Sequence, residues 1–435
     1  MDTNPLGTLG ITALVLCVLP ILVLLGLAFS QREADGAPPA GCCKLGITGP
    51  SHLHDQYSKK YARGGTRTPA NPWTIKAMFI YPVKSCAPLE LDSSEIQPTG
   101  LKYDRQFSFG HLVSALPLPD GKVESEWQCM TMRQFPRLVK IETEVWIPDP
   151  AAPGYREDGE WVRSDGCLVM RFPFSPDMDW SLQGIKSLGK MLAAKLAGRS
   201  EPMLEIRLPF NPPLDRIRRK RYATRALSIW NHVPQALDMA AEMDAETLAK
   251  LQYTVGASNP VTLFRIHPEH PRLVTDKAPK QEHAGFQTAI GMHDSYPVHI
   301  LNMASVHHVA SKMPRQSHVA YQMVAPILNV LRFRANLYVT GPPAFDEDGW
   351  DKARITSPTG ALAHDAVDMA ISCRTTRCKL PNVDPETADV DRNEPNSTLR
   401  KYRMVDEGSK NPCLGVQVVP LVSGQVKVGD NIEVV

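Results

Sequence analysis

The chain has 435 residues, enough for two modest domains with extensions, and its 38 Pro and 28 Gly favour many turns over long helical bundles. A formal net charge of +2 argues against a general nucleic-acid binder, which usually carries a strong basic surplus. Nine cysteines without regular spacing argue against a disulfide scaffold and favour free thiols in a reducing compartment.

The first predicted element is an apolar helix. Residues 6–29 carry no charged side chain and are long enough, at helical rise, to cross a hydrocarbon core of about 30 Å. A cleaved signal peptide is the alternative, but no basic residue precedes the apolar run. Basic residues follow it, so we predict a single-pass transmembrane anchor with the remaining protein facing the cytosol.

A linker and a β-rich domain are predicted next. Residues 30–72 are rich in Gly, Pro, Ser, Thr and Lys, which is typical of a flexible tether. From residue 73 short β-like runs follow, among them 75–81, 137–146 and 167–174, separated by turn residues. We therefore predict a β-rich domain at 73–205.

The middle of the chain changes character. Apolar residues recur at helical spacing at 184–196 and again at 234–251, which predicts two helices. Between them the run Arg216-Ile-Arg-Arg-Lys-Arg-Tyr-Ala-Thr-Arg225 forms a basic patch, either a solvated surface or a contact for an acidic partner. Residues 206–255 are therefore predicted to be a helical, basic insertion.

Strand-like runs resume at 261–267, 298–301 and 331–340. The chain closes with runs at 415–421 and 425–435, which are predicted to pair around a Ser-Gly turn. A closed or nearly closed barrel over 256–435 would remove the sheet edges. The predicted fold class is α+β and β-rich, with two β domains behind a membrane helix.

The segment Ile371-Ser-Cys-Arg-Thr-Thr-Arg-Cys378-Lys379 places a thiol at a turn near the end of this β region. Adjacent cations favour the thiolate of a cysteine, the form that binds soft metals, so Cys378 is the candidate metal ligand. A zinc site that adds Cys373, His364 and Cys413 is the alternative, although their spacing does not require one. An inert Cys373 is the simpler interpretation.

Several separated segments together carry a family resemblance. The chain resembles the MOSC domain family, and within it the amidoxime-reducing members, in these stretches: Tyr81-Pro-Val-Lys-Ser-Cys86, Tyr103-Asp-Arg105, Met130-Thr-Met-Arg-Gln-Phe-Pro-Arg-Leu138, Phe333-Arg-Ala-Asn336, Arg377-Cys378 and Asn382-Val-Asp-Pro-Glu-Thr387. The resemblance implies a MOSC N-terminal β-rich domain at 73–205 and a MOSC domain at 256–435. The insertion at 206–255 has no counterpart in this pattern.

The resemblance also implies a molybdenum–molybdopterin cofactor. Cys378 would be the metal ligand and the catalytic residue, because this family holds molybdenum through a cysteine thiolate. The pterin phosphate needs cations and directed donors, and Arg suits it by its bidentate fork. The matching cofactor-binding positions are Lys84, Ser85, Arg105, Thr131, Arg133, Ser295, Arg334, Asn336 and Arg377.

By resemblance the activity is the reduction of small N-hydroxylated compounds. The chain shows neither a dinucleotide-binding glycine pattern nor an iron–sulfur cysteine cluster. Electrons are therefore expected from a separate cytochrome b5-type protein and its flavin reductase. The implied membrane is the mitochondrial outer membrane, with the endoplasmic reticulum as the alternative. A MOSC protein that binds or sulfurates the cofactor without reducing substrates is the alternative function.

Overall fold

The computed structural model describes residues 18–26, 29, 36–114, 124–176, 181–314, 328–358 and 366–435. Most of the predicted membrane segment, including residues 6–17, lies outside these residues. In the part of the chain that is described, no helix has the length and apolar composition needed to cross a bilayer. This finding contradicts the predicted transmembrane anchor and the single-pass membrane localisation.

The structure is rich in short strands. The strands are β1 Cys42–Lys44, β2 Thr74–Ile80, β3 Val83–Lys84, β4 Leu89–Leu91, β5 Ser93–Gln97, β6 Gly100–Leu101, β7 Phe107–Ser114, β8 Ser125–Cys129, β9 Glu142–Pro148, β10 Cys167–Pro173, β11 Met203–Pro209, β12 Thr224–Ser228, β13 Gln235–Asp238, β14 Val261–Ile266, β15 Arg272–Leu273, β16 Ala289–Ile290, β17 Val298–Asn302, β18 Leu337–Thr340, β19 Lys352–Thr356, β20 Val367–Thr376, β21 Cys413–Pro420, β22 Gly424–Lys427 and β23 Asn431–Val434.

Helices are fewer and lie around the sheets. The α-helices are α1 Leu182–Leu196, α2 Leu214–Lys220, α3 Ala245–Val255, α4 Gln281–Ala284, α5 Met303–Lys312 and α6 Asn396–Tyr402, and residues 18–26 are helical as well. Short 3-10 helices occupy Lys59–Ala62, Pro136–Lys140, Met239–Glu242, Val330–Phe333, Asp346–Gly349 and Leu380–Asn382. The β-rich fold class predicted for the region after residue 73 is therefore confirmed, apart from the membrane helix.

The larger barrel is a closed ring of strands. Its order is β18, β17, β21, β20, β19, β23 and β2, and β18 pairs with β2 to close the ring, while β4 extends from β2. Closure leaves no free edge within the ring, as expected for the C-terminal region. Strand β2 comes from the N-terminal part of the chain, so the barrel needs both ends of the sequence.

A smaller barrel is formed by β7, β8, β12, β13 and β14, closed by the pairing of β14 with β7, and β3 joins the outside of β7. Two of these strands come from the predicted insertion. The helix expected at 234–251 is instead strand β13, a 3-10 helix and then α3, which begins where Asp244 accepts a hydrogen bond from the Thr247 amide at 2.7 Å. The helix expected at 184–196 is present as α1.

The segment predicted as a flexible linker is packed over its described part. Strand β1 pairs antiparallel with β9 in the sheet β1-β9-β10-β11. Leu53 and Tyr61 are buried in one cluster with Val306 and Val309 of α5. The polar composition of 36–72 therefore reflects turns between packed residues rather than a tether.

The basic patch of the insertion is partly neutralised. Arg216 is buried, and its guanidinium binds the Glu242 carboxylate through two hydrogen bonds of 2.6 and 2.8 Å. Glu160 also pairs with Arg216, and Lys220 pairs with Glu242. The patch thus includes an internal ion-pair network that fixes α2 against the 3-10 helix Met239–Glu242.

The two barrels share one hydrophobic core. Met78 and Leu337 of the larger barrel lie in the same buried cluster as Phe107 and Leu263 of the smaller one. The chain passes from β2 directly into β3 through Tyr81, which is fully buried. The junction at Tyr81 places loops from both barrels beside one another.

Candidate functional site

A cavity of about 820 Å³ lies between the two barrels. This volume is within the range of pockets that enclose a drug-sized ligand or a cofactor. Every site residue expected from the sequence lines it, namely Lys84, Ser85, Arg105, Thr131, Arg133, Ser295, Arg334, Asn336, Arg377 and Cys378. The structure therefore brings together positions that are almost 300 residues apart along the chain.

Three of the lining residues expected from the sequence have left-handed backbone conformations. The φ angles are +69° at Ser85, +47° at Arg105 and +52° at Arg334. Residues other than glycine rarely adopt such φ angles. The backbone strain, of order 1–3 kcal/mol per residue, persists only where the surrounding structure holds the residue in place. Each angle lies at a point where the chain turns beside the cavity.

Asp104 is the buried centre of the site. Its carboxylate accepts hydrogen bonds from the Tyr81 amide at 2.7 Å, Asn336 Nδ2 at 3.0 Å and His293 Nε2 at 3.1 Å, and it pairs with Arg105. Burial raises the pKa of Asp104, but Arg105 and His293 lower it by more, so that the pKa falls to about 2. The carboxylate is therefore ionised and holds loops from both barrels together.

Two guanidinium groups contact the Tyr81 ring. Arg334 Cζ lies 4.1 Å and Arg105 Cζ 4.8 Å from the ring centroid. Arg105 also donates to Asn336 Oδ1 and to the Arg334 carbonyl. Arg334 donates through Nη1 to the Cys86 carbonyl at 2.9 Å, whereas its Nη2 is buried and has no hydrogen-bond partner among the described residues. An orphaned donor of this kind is suited to a bound anion.

Asn336 and Arg377 are engaged within the protein. Asn336 donates to Phe79 O and Asp104 and accepts from Arg105 and the His299 amide, so both ends of its amide are used. Arg377 donates to the carbonyls of Phe333 and Leu414 and to His299 Nε2 at 2.6 Å. These two side chains hold the walls of the cavity in place.

The contact between Arg377 and His299 depends on the backbone beside it. A Cβ at Gly415, whose φ is +77°, would lie 2.7 Å from His299 Nε2. Burial and the neighbouring Arg377 hold the pKa of His299 well below its ordinary value. The imidazole is therefore neutral, and its Nε2 is free to accept the Arg377 hydrogen bond.

Lys84 and Arg133 lie at one end of the cavity, beside Trp230 and Asp294. Lys84 Nζ contacts Met292 O at 3.0 Å and Asp294 Oδ1 at 2.5 Å. Burial raises the pKa of Asp294, but Lys84 and Trp230 hold it below its ordinary value. The Arg133 guanidinium makes no hydrogen bond with the described residues and lies 5.2 Å from the Trp230 ring centroid.

The hydroxyl-bearing residues differ in their exposure. Ser85 and Thr131 are buried in the wall, and Thr131 Oγ1 donates to Gln134 Oε1 at 3.0 Å. Ser295 is exposed, next to Asp294. These hydroxyls and the cations at this end of the cavity can together donate hydrogen bonds to a bound anion.

Cys378 follows β20 and lies in a fixed turn. The Leu380 amide donates to its Sγ at 3.4 Å. Asn396 Nδ2 donates to the carbonyls of Arg377 and Cys378 at 3.3 and 3.2 Å. Because Asn396 is buried and bonded to this turn, its side chain helps to fix the position of Cys378.

The second cysteine of the motif behaves differently. Cys373 lies on β20 and lines the same cavity, but burial raises the pKa of its thiol to about 11 despite the nearby Lys277. A protonated thiol is a poor metal ligand, and an inert Cys373 stays a prediction. Of the zinc alternative, His364 lies outside the described residues. Within those residues, the only group of three or more His, Cys, Asp or Glu side chains close enough together to hold a metal ion is His267, Glu269 and His270.

Sequence reasoning missed several residues that line the cavity or lie behind its wall. Asp104 stood inside a motif that was recognised, but its importance comes from its contacts rather than from its type. His293 and His299 carried no pattern in the sequence, and Trp230 lies in the segment without a counterpart. The one available signal was the position of Asp104 between two motif residues.

The cavity has an excess of positive charge. Its described lining carries seven Lys or Arg side chains and three Asp side chains. Besides Arg334 Nη2, the buried donors Arg374 Nε and Thr375 Oγ1 have no partner among the described residues. Together with the Cys378 thiol, this set of donors fits a ligand that joins a soft metal to an anionic group.

Comparisons with known proteins agree with this arrangement. The MOSC domain profile matches residues 287–433, and the MOSC N-terminal beta barrel domain profile matches residues 73–183. The chain belongs to the MOSC domain family. Neither profile includes residues 184–286, which supply β11 to β14 and thus part of the smaller barrel.

Relatives are similar over most of the chain. Mitochondrial amidoxime reducing component 2 of Bos taurus is 25% identical over 362 residues, which is 82% of each chain. The Homo sapiens protein of the same name is 24% identical over 362 residues, again 82% of each chain. Mitochondrial amidoxime-reducing component 1 of Homo sapiens is 23% identical and covers 82% of this chain and 81% of its own. These matches are consistent with a MOSC protein related to molybdenum cofactor chemistry and to oxidoreductases.

Proposed function

We propose that this protein is a molybdenum cofactor-dependent reductase that cleaves the N–O bond of small N-hydroxylated compounds. The observation that carries the proposal is the cavity in which the Cys378 thiol faces a surplus of cations with orphaned donors. The names of the relatives, amidoxime reducing components, supply the substrate class. The proposal is tested through its cofactor, its ligand and its reaction.

The residues divide into two roles in this proposal. Cys378 would bind the metal as a thiolate, assisted by the Leu380 amide. Lys84, Arg133 and the free Nη2 of Arg334 would bind the phosphate, with hydroxyls from Ser85, Thr131 and Ser295. Arg105, Asn336 and Arg377 would act as positioning residues, because their side chains already hold the protein framework.

The cofactor would supply a two-electron redox centre for N–O cleavage. Reduction of an amidoxime to the amidine consumes two electrons and two protons and releases water. The protein's part is to hold the cofactor by its phosphate and its metal, and to orient the substrate beside Cys378. The electrons would come from a cytochrome b5-type protein and its flavin reductase, acting as a separate chain.

The cofactor experiment compares two thiols in the same cavity. Full-length protein, Cys378→Ala and Cys373→Ala would be purified from a host that makes molybdopterin, and their molybdenum content measured by mass spectrometry. We expect near-stoichiometric molybdenum in the wild type and in Cys373→Ala, and its loss in Cys378→Ala. Equal molybdenum in all three proteins would refute the ligand assignment.

The activity experiment separates a reductase from a protein that only binds or sulfurates the cofactor. Benzamidoxime reduction would be followed with cytochrome b5, its flavin reductase and NADH. We expect turnover by the wild type and none by Cys378→Ala. Stoichiometric molybdenum without any turnover would reject the reductase and favour the cofactor-handling alternative.

A further inference from the structure

Strands β12 and β13 form a hairpin whose tip reaches the cavity. Trp230 and Asn231 at the tip line the cavity, although they lie in the segment that neither family profile matches. Ile229 and His232 form an isolated bridge, so the tip is a tight turn, and Trp230 has a φ of +54°. A bulky residue in this conformation is rare, so its surroundings must hold it there.

Two contacts hold the Trp230 side chain. Its Nε1 donates to Asp294 Oδ1 at 2.8 Å, and the same oxygen accepts from Lys84 Nζ at 2.5 Å. The Arg133 guanidinium lies 5.2 Å from the centre of the indole ring. The hairpin is thus joined to Lys84 and Arg133, two of the three cations that the proposed function assigns to the cofactor phosphate.

Trp230 is nevertheless 55% exposed. A large aromatic surface of this size gains stability when a ligand covers it. Lys84 has three protons and two partners, and Arg133 has no hydrogen bond within the described residues, so both can still donate to an anion. An anion bound here would lie beside the edge of the indole.

We propose that Trp230 is a further cofactor-binding residue, which closes the phosphate end of the cavity and slows the release of the pterin cofactor. The inference rests on the proposed function, because the phosphate is that of the molybdenum cofactor. In this proposal the hairpin of the smaller barrel contributes a residue to the cofactor site. Asp294 connects the hairpin to the phosphate-binding cations, since one carboxylate oxygen accepts hydrogen bonds from both the indole and the Lys84 ammonium.

The test measures cofactor release rather than turnover. Full-length holoprotein, Trp230→Phe, Trp230→Ala and the control Val233→Ala would be incubated in cofactor-free buffer and passed through gel filtration at intervals. Retained pterin would be measured as its oxidised fluorescent product, and molybdenum by mass spectrometry. Val233 is 60% exposed on the same hairpin and does not line the cavity.

We expect Trp230→Phe, which lacks only the indole N–H and part of the ring, to release pterin about tenfold faster, equivalent to roughly 1.4 kcal/mol. Trp230→Ala should release it faster still, and Val233→Ala should match the wild type. Wild-type retention in Trp230→Ala, with an unchanged melting temperature, would overturn the inference while leaving the proposed function intact. Wild-type protein without pterin would instead reject the proposed function, and the inference with it.

Discussion

The carboxylate of Asp104 should be essential to the stability of the site, and Asp104→Asn tests this directly. Asp104 is fully buried and receives donors from Tyr81, Arg105, His293 and Asn336. An amide group in its place would present an NH₂ to donors that now meet Oδ2. It would also leave the Arg105 guanidinium buried without its counter-charge.

The magnitude follows from two considerations. Removing one partner of a buried ion pair typically costs about 3–5 kcal/mol. The pKa of Asp104, lowered from 3.8 to about 2, corresponds separately to about 2 kcal/mol of stabilisation of the ionised form. That part is present above pH 4 and is lost as the pH falls through about 2, because the unfolded state binds the proton first.

Urea unfolding at pH 7, followed by circular dichroism, would measure the change. Asp104→Asn should lower the free energy of unfolding by about 3–5 kcal/mol. The matched control is Asp158→Asn, because Asp158 forms an exposed ion pair with Arg156, and it should leave the stability unchanged. A destabilisation by Asp104→Asn of less than about 1 kcal/mol, with the same urea dependence as the wild type, would refute this account.

Two further changes test buried groups. Arg377→Lys should lower the unfolding free energy by about 2–3 kcal/mol, since one ammonium cannot satisfy the separated carbonyls of Phe333 and Leu414; wild-type stability would contradict this role. Burial raises the pKa of Glu347 from 4.5 to about 7, so stability should fall as the pH rises between these values. Glu347→Gln should remove that dependence and gain about 3 kcal/mol at pH 8, measured by unfolding at pH 5 and 8.

The sequence was informative where chemistry is local. The motifs around Lys84, Arg105, Arg334 and Cys378 each name residue types that suit a phosphate or a soft metal, and these residues line one cavity. Motifs do not reveal hydrogen-bond partners. Asn336 was therefore expected at the cofactor, whereas its amide is occupied by protein groups on both sides.

The sequence was less informative where structure depends on distant pairing. The run at 234–251 has helical spacing, yet β13 pairs with β12 and β14 to complete the smaller barrel. Hydropathy alone suggested a membrane helix, a prediction that the described part of the chain contradicts. The polar stretch before residue 73 looked like a tether, but burial of Leu53 and Tyr61 fixes it to the larger barrel.

The order of the strands along the chain has a consequence for the site. Strand β2 belongs to the larger barrel and β3, three residues later, to the smaller one, so the Tyr81 junction is shared by both. Asp104 accepts hydrogen bonds from the Tyr81 amide and from Asn336, the residue that directly precedes β18. The cations of the smaller barrel can therefore face Cys378 of the larger one only when both barrels are folded and this junction is intact.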